Sequence, residues 1–428
     1  MAADAQTAPA TTATAQTAPE STIAQAAPMQ GAPIAVETIP GPFDRWLGAG
    51  DFYGQVRPRY NNIAESDLPE RTEGWTIRVV AGWQKRLSAD IKVAIEAIHT
   101  DNIGAKDYND DVARIGSSDY PLLPDPRNTD LNQAYVDYSG VPSTRIRAGK
   151  QIVHLGNDRF ISDNDFRQTP TVFNGVLVSN TALPATEAKL GYFQRIRTAL
   201  GTQAQLRLTM FDLAWNPAAG HGISAYGYFL DQDKDASFTG FDNNSHRTLG
   251  LRADGGFRIG NATREVTLNY LAEIAEQKPY AGGDTRIDAR YWRLGVGVSG
   301  ESLGLRIDRE VKGSNHGLYG LQTPLTDLYA FNGWTLQFTT TPARGLQDTW
   351  AGLRYELRDS RIVLFTEYHR FGSDFGGLDF GREWDVSGEY RILDNLAAQL
   401  KHARFRPGDD LFGGKRVDKT WLTLNFVF

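Results

Sequence analysis

Trp421-Leu422-Thr423-Leu424-Asn425-Phe426-Val427-Phe428 alternates with a period of two and ends the chain on an aromatic residue. Side chains in an extended strand point to opposite faces in turn. Leu422, Leu424, Phe426 and Phe428 therefore share one wholly apolar face, and Trp421, Thr423, Asn425 and Val427 share the other. The chain stops in mid-strand, with no polar tail. A soluble β-domain could end this way, so the reading rests on whether the pattern recurs.

It recurs along most of the chain. Phe52–Tyr60 carries Gln55, Arg57 and Arg59 on one face. Trp75, Ile77, Val79, Ala81 and Trp83 oppose Thr76, Arg78 and Gln84; Ile91, Val93, Ile95 and Ala97 oppose Lys92 and Glu96. Leu206, Leu208 and Met210 oppose Gln205, Arg207 and Thr209. Val266, Leu268 and Tyr270 oppose Glu265, Thr267 and Asn269; Trp292, Leu294, Val296 and Val298 oppose Tyr291 and Arg293; Leu364, Thr366 and Tyr368 oppose Glu367 and His369. Segments of about ten alternating residues, apolar on one face and polar on the other, are the signature of a transmembrane β-barrel. In lipid every backbone donor and acceptor needs a partner, so such strands must close on themselves. The connections alternate in length as well. Short turns at 85–89, 139–143, 181–185, 259–262, 299–301, 358–360 and 392–395 interleave with longer polar stretches near 61–73, 100–130, 153–173, 231–245, 274–287, 311–346, 371–381 and 405–416. The connection near Leu200 is short for its side. We count about 18 strands, an all-β antiparallel barrel with periplasmic termini, short periplasmic turns and long outer loops. Phe331–Phe338 could pair as another strand, but an odd count would invert the loop pattern; it is placed inside a long outer loop, as a short helix.

Composition agrees. The chain has 428 residues, 11% aromatics, 43 Gly and no Cys. Its mean hydropathy is -0.41, and no stretch approaches the roughly 20 apolar residues of a spanning helix. A net charge of -6 argues against a nucleic-acid partner. Residues 1–45 are rich in Ala, Thr, Pro and Gln, with Arg45 the first basic residue. Such a segment buries too little apolar surface to offset its ordering entropy. We read it as a disordered periplasmic tether ahead of a barrel at 46–428. The start shows no basic n-region or apolar h-region, and reads as a mature chain behind an initiator Met, its signal peptide absent. Trp75, Trp83, Tyr60, Tyr138, Tyr192, Trp384, Tyr390 and Phe428 fall near strand ends, as aromatic girdles do. The expected surroundings are outer-membrane lipid and lipopolysaccharide.

A barrel of 16 to 18 strands leaves an aqueous lumen. Alternation places Arg57, Arg59, Arg78, Arg145, Arg147, Arg207, Arg252, Arg293, Arg306 and Arg354 on its wall, with Asp137, Asp254, Asp308, Glu356, Glu367, Asp385 and Glu389. A guanidinium is always charged and grips carboxylates through a planar fork. Rings of such groups select anions, unless each pairs with a carboxylate on the wall. The excess of Arg favours a net positive pore, with the overall charge of -6 carried by loops such as 107–111 and 231–235.

Arg145-Ile146-Arg147-Ala148-Gly149-Lys150-Gln151 runs into Asn157-Asp158-Arg159-Phe160, then Phe166-Arg167-Gln168-Thr169-Pro170 and Val172-Phe173-Asn174-Gly175. This resembles the R-x-G-R-Q, D-x-R-F, W-R-Q and F-D-A run of the alginate-export outer-membrane family. Gln322-Thr323-Pro324-Leu325, Phe331-Asn332-Gly333-Trp334 and Thr340–Leu346 resemble a second block of its shorter members. Lys150, Phe166 and Asn174 depart from the family's usual Arg, Trp and Asp. The resemblance implies an 18-stranded barrel with an electropositive pore narrowed by an infolded loop, without fixing the cargo. The loop 153–173 is the candidate constriction, bringing Arg159 and Arg167 beside Arg145 and Arg147. The rival placement is the outer rim, with its Arg residues on lipopolysaccharide phosphates.

No nucleophile elbow, metal-spaced His cluster or nucleotide loop appears, so no enzyme, metal or cofactor is expected. A triad built on His154 or His246 would be a chance pairing. The polar N-terminal segment is too short for a plug domain. Two transport readings remain. One is export of an acidic polysaccharide such as a uronate polymer. The other is diffusive uptake of small anionic or neutral nutrients, oligosaccharides or aromatic acids among them. Phe428, Phe426 and Leu424 are expected to be read by the outer-membrane assembly machinery.

Overall fold

The computed structural model describes residues 50–428 apart from 111–114, 124, 233–242, 262–263 and 412. The tether expected at 1–45 lies outside the described residues. Long alternating segments pair with their sequence neighbours through antiparallel ladders. They are β1 (Asp51–Glu65), β2 (Thr72–Arg86), β3 (Ile91–Asp107), β4 (Asn109–Asp110), β5 (Ile115–Gly116), β6 (Asn128–Tyr138), β7 (Thr144–Gln151), β8 (Val172–Asn180), β9 (Thr186–Arg197) and β10 (Gln203–Ala218). There follow β11 (His221–Gln232), β12 (His246–Asn261), β13 (Arg264–Pro279), β14 (Ala289–Ser299), β15 (Leu303–Lys312), β16 (Leu346–Leu357), β17 (Ile362–Gly372), β18 (Asp379–Leu393), β19 (Leu396–Pro407) and β20 (Val417–Val427). Eighteen of them form one sheet, and β4 and β5 form a small hairpin apart from it.

The sheet closes where β20 pairs antiparallel with β1, from Gln55 opposite Val427 to Glu65 opposite Val417. The terminal residue completes the seam. Gly54 N–H donates to the Phe428 carbonyl at 2.8 Å, and Phe428 N–H donates to the Gly54 carbonyl at 3.0 Å. A Cβ on Gly54 would sit 2.4 Å from the Phe428 ring and 2.7 Å from the Val80 carbonyl, so the closing ring requires glycine there. Closure leaves no unpaired edge, as lipid demands. The outward faces are apolar and exposed, among them Leu190, Leu294, Val296, Ile307 and Leu400. Short turns lie at the end where β1 begins and β20 finishes. The long connections lie at the other end, where the links 66–71, 198–202 and 373–378 are the short exceptions.

One face assignment is reversed. Leu206, Leu208 and Met210 point into the barrel and are buried against Phe160, Tyr226 and Tyr228. Arg207 therefore faces outward, where it binds Asp231 of β11 through Nε at 2.9 Å. The cause is the infolded loop: it brings apolar side chains into the lumen, so this part of the wall is apolar on its inner face. Phe331–Phe338 lies in the connection 313–345 and makes turns, with no helix.

Candidate lumenal site

Two connections enter the lumen. Residues 152–171 join β7 to β8, and residues 313–345 join β15 to β16. Neither contains a strand, so their backbone groups need partners within the lumen. They find some in each other. Ser162 N–H donates to the Leu325 carbonyl at 2.8 Å and Asp327 N–H to the Asp158 carbonyl at 3.1 Å. Val153, Leu155, Phe160 and Ile161 from one loop pack with Leu321 and Leu325 from the other and with the wall residues Leu206, Tyr228 and Tyr291.

The tip of the first loop is clamped to the β1–β2 wall. Arg57 donates to the Asp165 carboxylate at 3.2 Å, to the Asp165 carbonyl at 2.9 Å and to the Arg167 carbonyl at 2.6 Å. Arg78 donates to the other Asp165 oxygen at 2.6 Å. Arg59 donates to the Phe166 carbonyl at 2.7 Å and lies 4.1 Å over the Phe166 ring. Burial pushes the Asp165 carboxyl up, but the guanidinium groups of Arg78 and Arg57 prevail and hold it below the ordinary carboxylate range. Nearby Asp163, buried and facing Asp165, is raised to about 7. His154 lies 3.0 Å from Asp158 and 3.7 Å from Asp163. Burial opposes its protonation, yet these carboxylates raise it to about 9.

The second loop is latched to an acidic wall formed by β15 to β18. Arg159 crosses from the first loop and donates to Glu310 at 2.8 Å and to Asn332 at 3.0 Å. Asn332 donates to Glu310 at 2.7 Å and to Asp348 at 3.2 Å. Trp334 N–H donates to Asp385 at 3.2 Å, and Thr335 N–H to Glu383 at 2.7 Å. Gly333 has φ +81°, and a Cβ there would meet the Glu383 carboxyl at 2.6 Å. His369 sits beside Asp348 at 3.0 Å on the same wall.

The arginines expected to gather in one constriction occupy three places. Arg145 and Arg147 share Asp137, with Arg147 Nε 2.8 Å from it. Arg159 is sequestered by Glu310, 1% exposed. Arg167 lies 5.6 Å from the Tyr329 ring, near the β1 clamp. The loop spans the lumen, so its two ends meet different walls, and each buried guanidinium is held by the partner nearest it. The remaining wall arginines face inward, mostly paired: Arg252 with Asp254 at 2.9 Å, Arg293 and Arg306 with Asp308 at 2.9 and 2.6 Å, Arg354 with Glu356 at 3.1 Å.

Sequence reading missed two further cations. Lys401 lies 3.5 Å over Trp334 and 4.5 Å over Phe166. Lys419 donates to the Thr335 carbonyl at 2.8 Å. Their alternation with Ala403, Trp421 and Thr423 was the available signal. Arg59, Lys401 and Lys419 make no ion pair among the described residues. Together with Phe166, Tyr329 and Trp334 they form a basic, aromatic seam between the β19–β20–β1 wall and the two loops.

Residues 57–307 match the family model described as Alginate export. The comparison with curated proteins found no match. Among solved structures the chain is similar to Acinetobacter baumannii OccAB4, with TM-score 0.66, 13% identity, and coverage of 88% of this chain and 97% of that one. It is similar to Pseudomonas aeruginosa OccK9 (OpdG), with TM-score 0.68, 13% identity, and coverage of 89% and 98%. It is also similar to Pseudomonas aeruginosa OpdK, solved with vanillate, with TM-score 0.65, 11% identity, and coverage of 88% and 98%. At these identities the likeness is one of fold.

Proposed function

The chain belongs to the alginate-export family of outer-membrane β-barrels, and from that premise we propose that it is an anion-selective channel whose cargo is an acidic polysaccharide of the uronate class. The observation that supports this reading is the seam itself. Arg59, Lys401 and Lys419 make no ion pair among the described residues; Arg59 and Lys401, both buried, stand against the rings of Phe166 and Trp334, and Lys419 reaches the Thr335 carbonyl beside them. A uronate unit offers a carboxylate to such cations and an apolar ring face to such aromatics. Several weak sites in a row let a charged solute enter and leave. The paired arginines elsewhere hold the loops in place and set the width of the path.

A second reading has its own support. A seam of cations and rings also suits small aromatic acids, and the fold-level relative OpdK was solved with vanillate. Current block in planar bilayers separates the two. Oligouronates added to one side should interrupt the current at lower concentration than neutral oligosaccharides of equal length, and Lys401→Gln should weaken the block. Equal block by neutral sugars would refute the acidic assignment. Block by monomeric aromatic acids alone would transfer it to the second reading.

A further inference from the structure

The outer surface carries a second set of arginines that the pore does not use. On β17, β18 and β19 the register places Arg370 opposite Arg382, and Arg382 opposite Arg406. All three are exposed. They fall on the outward face, because their neighbours His369, Phe371, Glu383 and Phe405 are the buried, inward ones. Like charges directly opposite each other on neighbouring strands repel and destabilise the pair. None of the three makes an ion pair among the described residues. The row extends through Thr349 to Arg309 on β15.

Two residues nearer the short-turn end, the same strands carry Tyr368 and Trp384, exposed and in contact at 5.5 Å. Exposed rings of this kind mark a membrane interface. The arginine row lies beyond them, towards the long loops, and so at the headgroup level of the outer leaflet. Arg406 also borders a cleft of about 310 Å³ lined by Arg71, Arg404 and Arg416. The two acids of that cleft are already engaged, Asp418 by Arg404 and Glu65 by Lys415.

We propose that this outward row, continued into the cleft, is a binding site for the phosphate groups of an outer-leaflet glycolipid. Phosphate oxygens accept the bidentate fork of arginine and supply the counter-charge the row lacks. A zwitterionic phospholipid fits less well, since no free carboxylate in the row or cleft receives its ammonium group. Lipid phosphates also arrive from the side on which the guanidinium heads emerge from their apolar surroundings.

The test uses the full chain purified in a neutral detergent. Its thermal unfolding is followed with diphosphoryl lipid A, with enzymatically dephosphorylated lipid A, and with inorganic phosphate. Diphosphoryl lipid A should stabilise the wild type, and the other two should have little effect. Arg370→Gln with Arg382→Gln and Arg406→Gln should weaken lipid A retention by about tenfold or more, each basic group near an anionic surface counting for roughly fivefold. Arg382→Glu gives an independent readout if the triple variant does not assemble. It places an acid between two arginines, so it should raise the unfolding temperature without lipid and abolish the gain from lipid A. Equal stabilisation by the dephosphorylated lipid, or by inorganic phosphate, would overturn the assignment, as would unchanged retention in Arg382→Glu.

Discussion

Arg57 and Arg78 stand directly opposite each other on β1 and β2 and share one carboxylate, that of Asp165. Two unit charges about 4 Å apart interact by about 4 kcal/mol at an effective dielectric of 20. Without Asp165 that interaction would be repulsion on a buried wall. The pair therefore ties barrel stability to the position of the infolded loop. Asp165→Asn should destabilise the barrel by about 3 kcal/mol, the usual cost of stripping a buried charge of its partner. The same change should release loop 152–171 and raise single-channel conductance. Thermal unfolding and bilayer recording check the two halves.

Arg159 joins the two lumenal loops to Glu310 through the several donors of its planar guanidinium, Nη2 donating to Glu310 and Asn332 and Nη1 to Thr326. Arg159→Gln should cost about 3 kcal/mol or more and produce flickering current as both loops loosen. Arg159→Lys keeps the charge but not the planar set of donors, so it should rescue stability only in part. Full rescue by Lys would mean that charge alone holds the loops.

Gly333 supplies a left-handed turn beneath Glu383. Gly333→Val should push the Glu383 carboxylate off the Thr335 N–H and unlatch the second loop alone. Limited proteolysis should then cut within 313–345 while 152–171 stays protected.

The His154 contact gives a pH dependence. A histidine raised in the folded chain contributes stability that is full below its ordinary value of 6.5 and is lost as pH rises through about 9. Asp158, Asp163 and Asp165 are the carboxylates that act on it. Loop closure should weaken between these limits, seen as rising current noise. His154→Gln should remove the transition.

Phe428 completes the β20–β1 seam through its two hydrogen bonds with Gly54. Deleting Phe428 removes both hydrogen bonds to Gly54 and should impair assembly into the outer membrane. Folded barrel counted by heat-modifiable gel mobility gives the measure.

Much of this was legible in the sequence. Alternation along Trp75–Trp83 and Trp292–Val298 fixed faces, because membrane strands must be apolar towards lipid. The same rule failed at Leu206–Met210, where a distant loop supplies an apolar neighbour inside the barrel. Local pattern cannot report that, so Arg207 was assigned to the wrong side. The infolding of the loop read as 153–173 was expected over its rival placement on the outer rim. That of 313–345 was not: its carboxylate partners Glu383 and Asp385 lie about 50 residues along the chain, beyond any local spacing rule. The expected cluster of Arg145, Arg147, Arg159 and Arg167 dispersed for a related reason. Arg145 and Arg147 meet Asp137, Arg159 meets Glu310 and Arg167 lies by the Tyr329 ring, and only the three-dimensional wall decides which neighbour each finds.

Ion selectivity tests the central claim most directly. The reversal potential of the wild-type channel in a KCl gradient should show preference for chloride, because Arg59, Lys401 and Lys419 line the seam and make no ion pair among the described residues. Arg59→Gln combined with Lys401→Gln and Lys419→Gln should reduce or invert that preference. A wild-type preference for potassium would contradict the account, since the acidic wall of Glu310, Asp348, Glu383 and Asp385 would then govern the path.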